Sequence, residues 1–374
     1  MKIRAAVLHQ SGLPAPYAQS RPLRIMQVDL APPGPGEVLI KIVAAGICHS
    51  DLSVIEGVRP RPLPMALGHE SAGIVEEVGP YVHDLKKGDH VVSTFVPACG
   101  HCSPCAEGRP ALCEPGAAAN GAGTLLNNTR RLSCEEIPLN HHLGVSCFAE
   151  YATVSRYSLV KVDPDMSLEE AALFGCAVLT GVGAAINTAH ISLGMKVAVI
   201  GLGGVGFAGL LGALAAGAER LIAIDTNDAK LDLARSLGAT DIFNAKDAKL
   251  VEAIKDATSG GADVVLEFAG AAPALELGYK ICRRGGELVT AGLPPPTAMF
   301  SIPAVSLVAE ERTVRGSYLG SAVPIRDLPR YIALQRRGRL PVERLITHHL
   351  PLEDINLGMD RLRDGTAIRQ IVTM

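Results

Sequence analysis

Residues 197–218 read VAVIGLGGVGFAGLLGALAAGA. Twenty-two residues without a charge are long enough to cross a bilayer, which takes about 20. Seven of them are glycine, however, and the first four glycines form G-x-G-G-x-G directly after a β-branched run. That pattern predicts a strand, a tight turn and a buried helix rather than a membrane span. Asp225 closes the next predicted strand, RLIAID, 19 residues after Gly206. Small residues at Gly201, Gly203, Gly204, Val205 and Gly206 let the backbone approach a pyrophosphate at a helix N-terminus. A carboxylate at the following strand end accepts hydrogen bonds from a ribose. A packing turn followed by a surface Asp is the competing explanation, but strand, turn, helix and acid in this order favour dinucleotide binding. A 2′-phosphate beside Asp225 would be repelled, so NAD is expected rather than NADP.

Outward from this turn, strands and helices alternate. Helices are predicted over 203–217, 227–237, 247–258 and 273–283, between the apolar runs KVAVIG, RLIAID, DIF, ADVVLEFAG and GELVTAG. Such alternation predicts a doubly wound parallel sheet covered on both faces, an α/β fold. The N-terminal third differs. EVLIKIVAAG (37–46), SAGIVEEVG (71–79) and GDHVVSTF (88–95) are short β-like runs between Gly and Pro clusters. The stretch 115–140 reads as a polar surface loop. After about 320 the chain returns to shorter, Pro-containing elements. The expected organisation is a β-rich domain over 1–178, a Rossmann coenzyme domain over 179–319 and a return to the first domain over 320–374.

The 374 residues, 48% hydrophobic and 20% charged, suit two full cores and argue against disorder. A net charge of −3 with acids and bases mixed gives no case for nucleic acid. The N-terminus lacks the apolar core of a signal peptide, so a cytoplasmic protein is expected. Nine cysteines in a chain this long do not suggest a disulfide framework.

Four of those cysteines stand in CGHCSPCAEGRPALC (99–113). Cys99, Cys102 and Cys105 fall three apart, and Cys113 follows eight later. Four thiolates close a tetrahedral zinc and leave it no open position, so this lobe (about 95–114) is expected to be structural. A reactive metal would need other ligands. Cys48, His69 and Cys176 lie near predicted strand ends, and spacing alone leaves open whether they share an ion or are buried thiols and a core histidine.

GICHSD (46–51), GHE (68–70), the four-cysteine lobe, GCAVLTG (175–181) and GLGGVG (201–206) together resemble the zinc-dependent alcohol dehydrogenases of the medium-chain dehydrogenase/reductase superfamily. The likeness runs to the C-terminal IRQIVTM, over essentially the whole chain. The resemblance implies a GroES-like catalytic domain with the Rossmann domain inserted in it. It also implies a catalytic zinc on Cys48, His69 and Cys176 with an open fourth position, hence two zinc ions per chain and NAD. Asp51 and Glu70 would orient the ligands, and Ser50 would begin a proton relay. His49 and Arg369 would contact the pyrophosphate, Lys230 the adenosine ribose and Thr180 the nicotinamide. A homodimer or homotetramer acting on a small-molecule alcohol or aldehyde is implied as well.

The chain also departs from the family. Ser53 replaces a histidine that ends the relay in relatives, leaving water or His49 to finish it. Cys134, Cys147 and Cys282 match no ligand position, and the pairs His141-His142 and His348-His349 are expected to be polar loop residues. The substrate pocket would include Ser50, Phe95, His142, Leu293 and Tyr318, with room for a branched or aromatic chain beside Ser50. Arg59 and Ala117 stand where the S-hydroxymethylglutathione dehydrogenases carry an acid and an arginine. The expectation is therefore a primary medium-chain or aromatic alcohol oxidised to its aldehyde. The alternatives are S-hydroxymethylglutathione or a non-catalytic, zinc-stabilised NAD-binding protein. A zinc-free quinone reductase would not need Cys48, His69 and Cys176.

Overall fold

The apolar strands flanking the glycine turn line up in one six-stranded sheet in which every pair is parallel. Its order is Asp241–Asn244, Arg220–Asp225, Lys196–Ile200, Ala262–Glu267, Cys282–Thr290, Thr313–Gly316. The first of these six strands in chain order, Lys196–Ile200, thus lies in the middle, and the strand order reverses beside it, the usual place for a coenzyme. Val197, Ala198 and Val199 are fully buried, as a strand covered on both faces requires. Helix Gly204–Ala216 follows the turn and ends at Gly217, which takes the left-handed conformation that favours glycine. At 13 residues it is about 20 Å long, too short for a bilayer. No single helix in the chain is long and apolar enough to cross a membrane.

The computed structural model describes residues 1–374. The sheet belongs to a unit made of Ala177–Ala322 and Arg330–Val342. A second unit comprises Met1–Cys176, Val323–Pro329 and Glu343–Met374. That second unit is β-rich. Strands Lys2–Leu8, Leu23–Leu30, Leu132–Cys134, Ile137–His141 and Met65–Ala66 close a small barrel. A seven-stranded sheet lies beside it in the same unit, and strand Glu37–Gly46 is its hub. That strand pairs antiparallel with Ser71–Val78, Tyr151–Ser155 and the C-terminal Arg369–Thr373.

The stretch 115–140 is not the surface loop its polar composition suggests. Residues Glu114–Ala122 form a helix, and Leu132–Cys134 pairs with Ile137–His141 as a hairpin. Three consecutive alanines favour the helix, the Cys113 sulfur accepts the Gly116 N–H at its start, and left-handed Gly123 ends it. Asn120 is buried and donates to the Phe95 carbonyl at 2.7 Å. The hairpin turns through Glu135 and Glu136, both at positive φ. Neither is the Asn or Gly that normally marks such a turn, so composition concealed it.

Glu37, at the start of the hub strand, is 1% exposed. It accepts from Gly34 N–H at 2.7 Å, Asn127 at 2.9 Å, Thr129 at 2.6 Å and Arg131 Nε at 2.6 Å. Burial alone would raise its pKa, but these donors together hold it below the usual 4.5. A carboxyl with a lowered folded pKa adds stability above its unfolded pKa and loses it as pH falls through the folded value. Glu37→Gln should therefore cost about 2–3 kcal/mol at neutral pH by urea denaturation. The gap to wild type should shrink as pH falls below the usual 4.5. A gap independent of pH would show that the charge is not what the pocket holds.

Candidate active site

Three segments of the β-rich unit converge on one buried cluster. The hub strand ends at Gly46, and Cys48 then takes an extended conformation at the start of helix His49–Ile55. Asp51 lies in the first turn of that helix, where a negative charge is favourable. His69 and Glu70 immediately precede strand Ser71–Val78, and Cys176 follows the turn Leu173–Gly175. Ligand atoms of Cys48, His69 and Cys176 all lie within 4.8 Å of one another, and all three residues are buried.

The electrostatics of this cluster suit a cation. His69 Nδ1 is 3.2 Å from Asp51 Oδ1, which also accepts the Gly68 N–H at 3.1 Å. With Nδ1–H donating to a carboxylate, the imidazole lone pair is left on Nε2. That nitrogen is buried with no hydrogen-bond partner, so the site fits a metal that would satisfy it. Burial alone would lower the His69 pKa, but the charges of Asp51 and Cys48 outweigh it and raise it to about 10, so positive charge at Nε2 is favoured and a metal cation would take the place of a proton there. The Cys48 thiol is pulled well below its ordinary value, first by hydrogen bonding from Cys176 and then by His69 and Arg369 against the cost of burial. Glu70 is fully buried and ion-paired with Arg369, itself 3% exposed. Phe95 stands edge-on to His69 at 5.7 Å. Ser50 is half-buried and His49 exposed on the same short helix.

The four-cysteine lobe forms a second set, with its four sulfurs also within 4.8 Å of one another. Backbone N–H groups of Cys102 and Gly116 point at the sulfurs of Cys99 and Cys113, at 3.3 and 3.4 Å. The Cys105 backbone amide pulls Cys102 down to about 7, whereas burial pushes Cys105 up to about 12. Donors aimed at sulfur favour thiolate, the form that binds metal.

In the parallel-sheet unit, the turn Gly201–Gly206 is tight. A Cβ on Gly206 would meet the Gly201 carbonyl at 1.8 Å, whereas one on Gly203 would meet nothing within 4 Å. Gly203 offers no side chain to cap helix Gly204–Ala216, so backbone N–H groups there remain for an anion. Asp225 closes its strand and accepts from Leu202 N–H at 2.6 Å and Asn227 N–H at 3.0 Å. It therefore braces the turn as well as facing the strand end. Lys230 is half-buried on helix Asp228–Ser236, and Thr180 is 8% exposed on helix Ala177–Gly183. Leu293 and Tyr318 belong to this unit and are exposed. Arg59 is half-buried, and Ala117 is exposed on helix Glu114–Ala122.

The expectation that His141-His142 are polar loop residues is incorrect. His141 ends strand Ile137–His141, is fully buried and accepts the Arg131 N–H at 3.0 Å. Burial pushes its pKa down to about 4. His142 is 1% exposed and its Nδ1 lies 3.0 Å from Asp51. A polar pair reads as surface because composition carries no record of buried partners. The His348-His349 pair lies on strand Ile346–Pro351 rather than in a loop, and His349 meets Glu169 at 3.1 Å at the surface. Cys147 and Cys282 are buried thiols whose pKa burial raises, to about 12 for Cys282. The pairing of Glu70 with Arg369 had no local signal, since the two are 299 positions apart.

Residues 34–164 match the alcohol dehydrogenase GroES-like domain family, and residues 204–336 match the zinc-binding dehydrogenase family. An S-(hydroxymethyl)glutathione dehydrogenase from Synechocystis sp. is 38% identical over 376 residues, covering 100% of both chains. An alcohol dehydrogenase zinc-binding domain protein from Burkholderia ambifaria superposes with a TM-score of 0.94 at 35% identity, over 100% of this chain and 99% of that one. Benzyl alcohol dehydrogenase from Acinetobacter calcoaceticus superposes with a TM-score of 0.93 at 32% identity, over the same shares.

Proposed function

The chain belongs to the zinc-binding alcohol dehydrogenases of the medium-chain dehydrogenase/reductase superfamily, NAD(P)-dependent oxidoreductases, and we propose from that premise that it oxidises medium-chain or aromatic primary alcohols with NAD. The observation that carries this reading is the buried Cys48, His69 and Cys176 set. Three ligands leave a tetrahedral ion one position for substrate, whereas the four-cysteine set leaves none. Zinc at the first set supplies a Lewis acid that makes the alcohol O–H acidic near neutral pH, and the nicotinamide supplies the hydride acceptor. Asp51 holds His69 in the metal-binding tautomer, and Glu70 with Arg369 fixes the wall behind it. Ser50 Oγ takes the alcohol proton and passes it to water or to exposed His49. In the parallel-sheet unit, the turn Gly201–Gly206 would hold the pyrophosphate, Asp225 and Lys230 the adenosine ribose, and Thr180 would contact the nicotinamide; in the β-rich unit, His49 and Arg369 supply groups suited to a phosphate.

The substrate preference is read from Ser50, Phe95 and His142 of the β-rich unit. The benzyl alcohol dehydrogenase likeness favours an aromatic substrate. The Synechocystis relative favours S-hydroxymethylglutathione as a second reading. Against it, Arg59 and Ala117 replace the acid and arginine expected to grip that substrate, and a missing ionic partner costs a few kcal/mol. In the parallel sheet, the edge strand Thr313–Gly316 and the exposed Met299, Val305 and Val308 suit a homodimer joined through this unit, or a tetramer of such dimers. Thiolates kept for metal fit a cytoplasmic setting.

Elemental analysis should find two zinc ions per chain, one for each ligand set. Cys99→Ser should lower stability, since structural zinc can carry roughly 10 kcal/mol of folding energy. Cys48→Ser should remove turnover and largely spare the fold. One zinc or none in carefully purified protein would sink the assignment.

Asp225→Gly should raise the ratio of NADP to NAD turnover by about tenfold or more, by removing the repelling carboxylate. A wild-type enzyme that already prefers NADP would show that Asp225 does not select the coenzyme.

Benzyl alcohol and hexanol should give a higher kcat/KM than ethanol in an NADH absorbance assay, since each buried CH2 contributes roughly 0.8 kcal/mol. If the glutathione adduct outperforms every simple alcohol, the second reading replaces this one.

A further inference from the structure

Asp51 is shared between two histidines. Its carboxylate is 0% exposed, and it has His69 Nδ1 at 3.2 Å, His142 Nδ1 at 3.0 Å and the Gly68 N–H at 3.1 Å. These are hydrogen-bond distances. The two imidazoles stand edge to face, with centroids 5.3 Å apart at 88°. His142 Nδ1 is buried, and its close polar contact is Asp51 Oδ1 at 3.0 Å. The backbone fixes the ring from below, because His142 N–H donates to Ser146 Oγ at 2.9 Å and that hydroxyl donates to the Ala66 carbonyl at 2.8 Å.

We propose that His142 is a positioning residue: through its Nδ1–H it pins the Asp51 carboxylate, which in turn fixes the ring and tautomer of His69. The inference rests on the zinc reading of Cys48, His69 and Cys176. A carboxylate held only by His69 and a backbone N–H can rotate about its Cβ–Cγ bond and carry the imidazole with it. A third donor on a rigidly seated ring removes that freedom. Partners that orient a metal-bound histidine in this way are typically worth 10–100-fold in metal affinity.

The test separates the donor from the ring that carries it. Asn at 142 places an amide N–H where Nδ1–H stands, Gln places it a methylene further out, and Phe fills the volume with no donor. Zinc release from wild type, H142N, H142Q and H142F would be followed with a chelator. The four-cysteine ion serves as an internal measure of fold, and C176S identifies which ion is which. The catalytic-set ion should leave about tenfold faster from H142F and H142Q and near the wild-type rate from H142N. Cobalt substituted at that set should show shifted absorption bands in H142F and H142Q alone. If H142F fails to fold, shown by loss of both ions, the Asn and Gln pair still decides. Equal release from H142N and H142Q, or a wild-type rate from H142F, would overturn the proposal. If C176S does not change the zinc content of the protein, the zinc reading itself fails, and the inference falls with it for a distinguishable reason.

Discussion

A Cβ on Gly46 would stand 2.1 Å from Glu70 Oε1 and 2.6 Å from Arg369 Nη2, so the end of the hub strand admits no side chain. That close approach joins three distant parts of the sequence. Gly46 donates its N–H to the Glu70 carbonyl at 2.8 Å and sits opposite Ile371 in the C-terminal strand. Cys48 follows two residues later, and His69 lies one residue before Glu70. The positions of the candidate ligands are thus set by strand pairing rather than by the ligands themselves. Two opposite charges buried here carry a desolvation cost that their mutual attraction offsets only in a good geometry. What the pair contributes is register, since a slip of one residue would place an unpaired charge in the core.

The parallel sheet was legible because its strands are apolar on both faces and alternate with helices, a signal that survives without any alignment. Val197, Ala198 and Val199 on the central strand are fully buried, and the turn after them has no alternative to glycine at Gly206. The β-rich unit was legible only in part. Its long runs, such as Glu37–Gly46, announced themselves, whereas Leu132–Cys134 and Ile137–His141 did not. Those strands are short, and their turn uses two glutamates in a left-handed conformation. Tertiary pairing in the barrel outweighed local propensity there.

The candidate site divides along the same line. The four cysteines of the lobe lie within one run of 15 residues, so spacing alone identified them. Cys48 and Cys176 are 128 positions apart, and spacing left them open. Only the combination of motifs across the whole chain suggested a common ion, and the geometry brings them together. His142 shows what remained beyond reach. A histidine beside another histidine reads as surface, and only the fold places it 3.0 Å from a buried carboxylate.

The two thiolate sets therefore stand in opposite relations to the fold. In the lobe, a short loop of small and polar residues buries little apolar surface, and its sulfurs draw backbone N–H donors from the same loop. An ion bound there would close a short chain segment and add to its local order. Cys48, His69 and Cys176 sit instead behind a closed hub strand, a buried ion pair and a carboxylate held from three sides. They come from segments up to 128 positions apart in the sequence, and strand pairing in the surrounding fold brings them together. On the zinc reading, a metal in the lobe would be a cause of local structure, whereas the distributed set is a consequence of the fold around it. On that reading, one position of the distributed set would be left for a substrate, because the surrounding fold, not a fourth protein ligand, keeps its geometry.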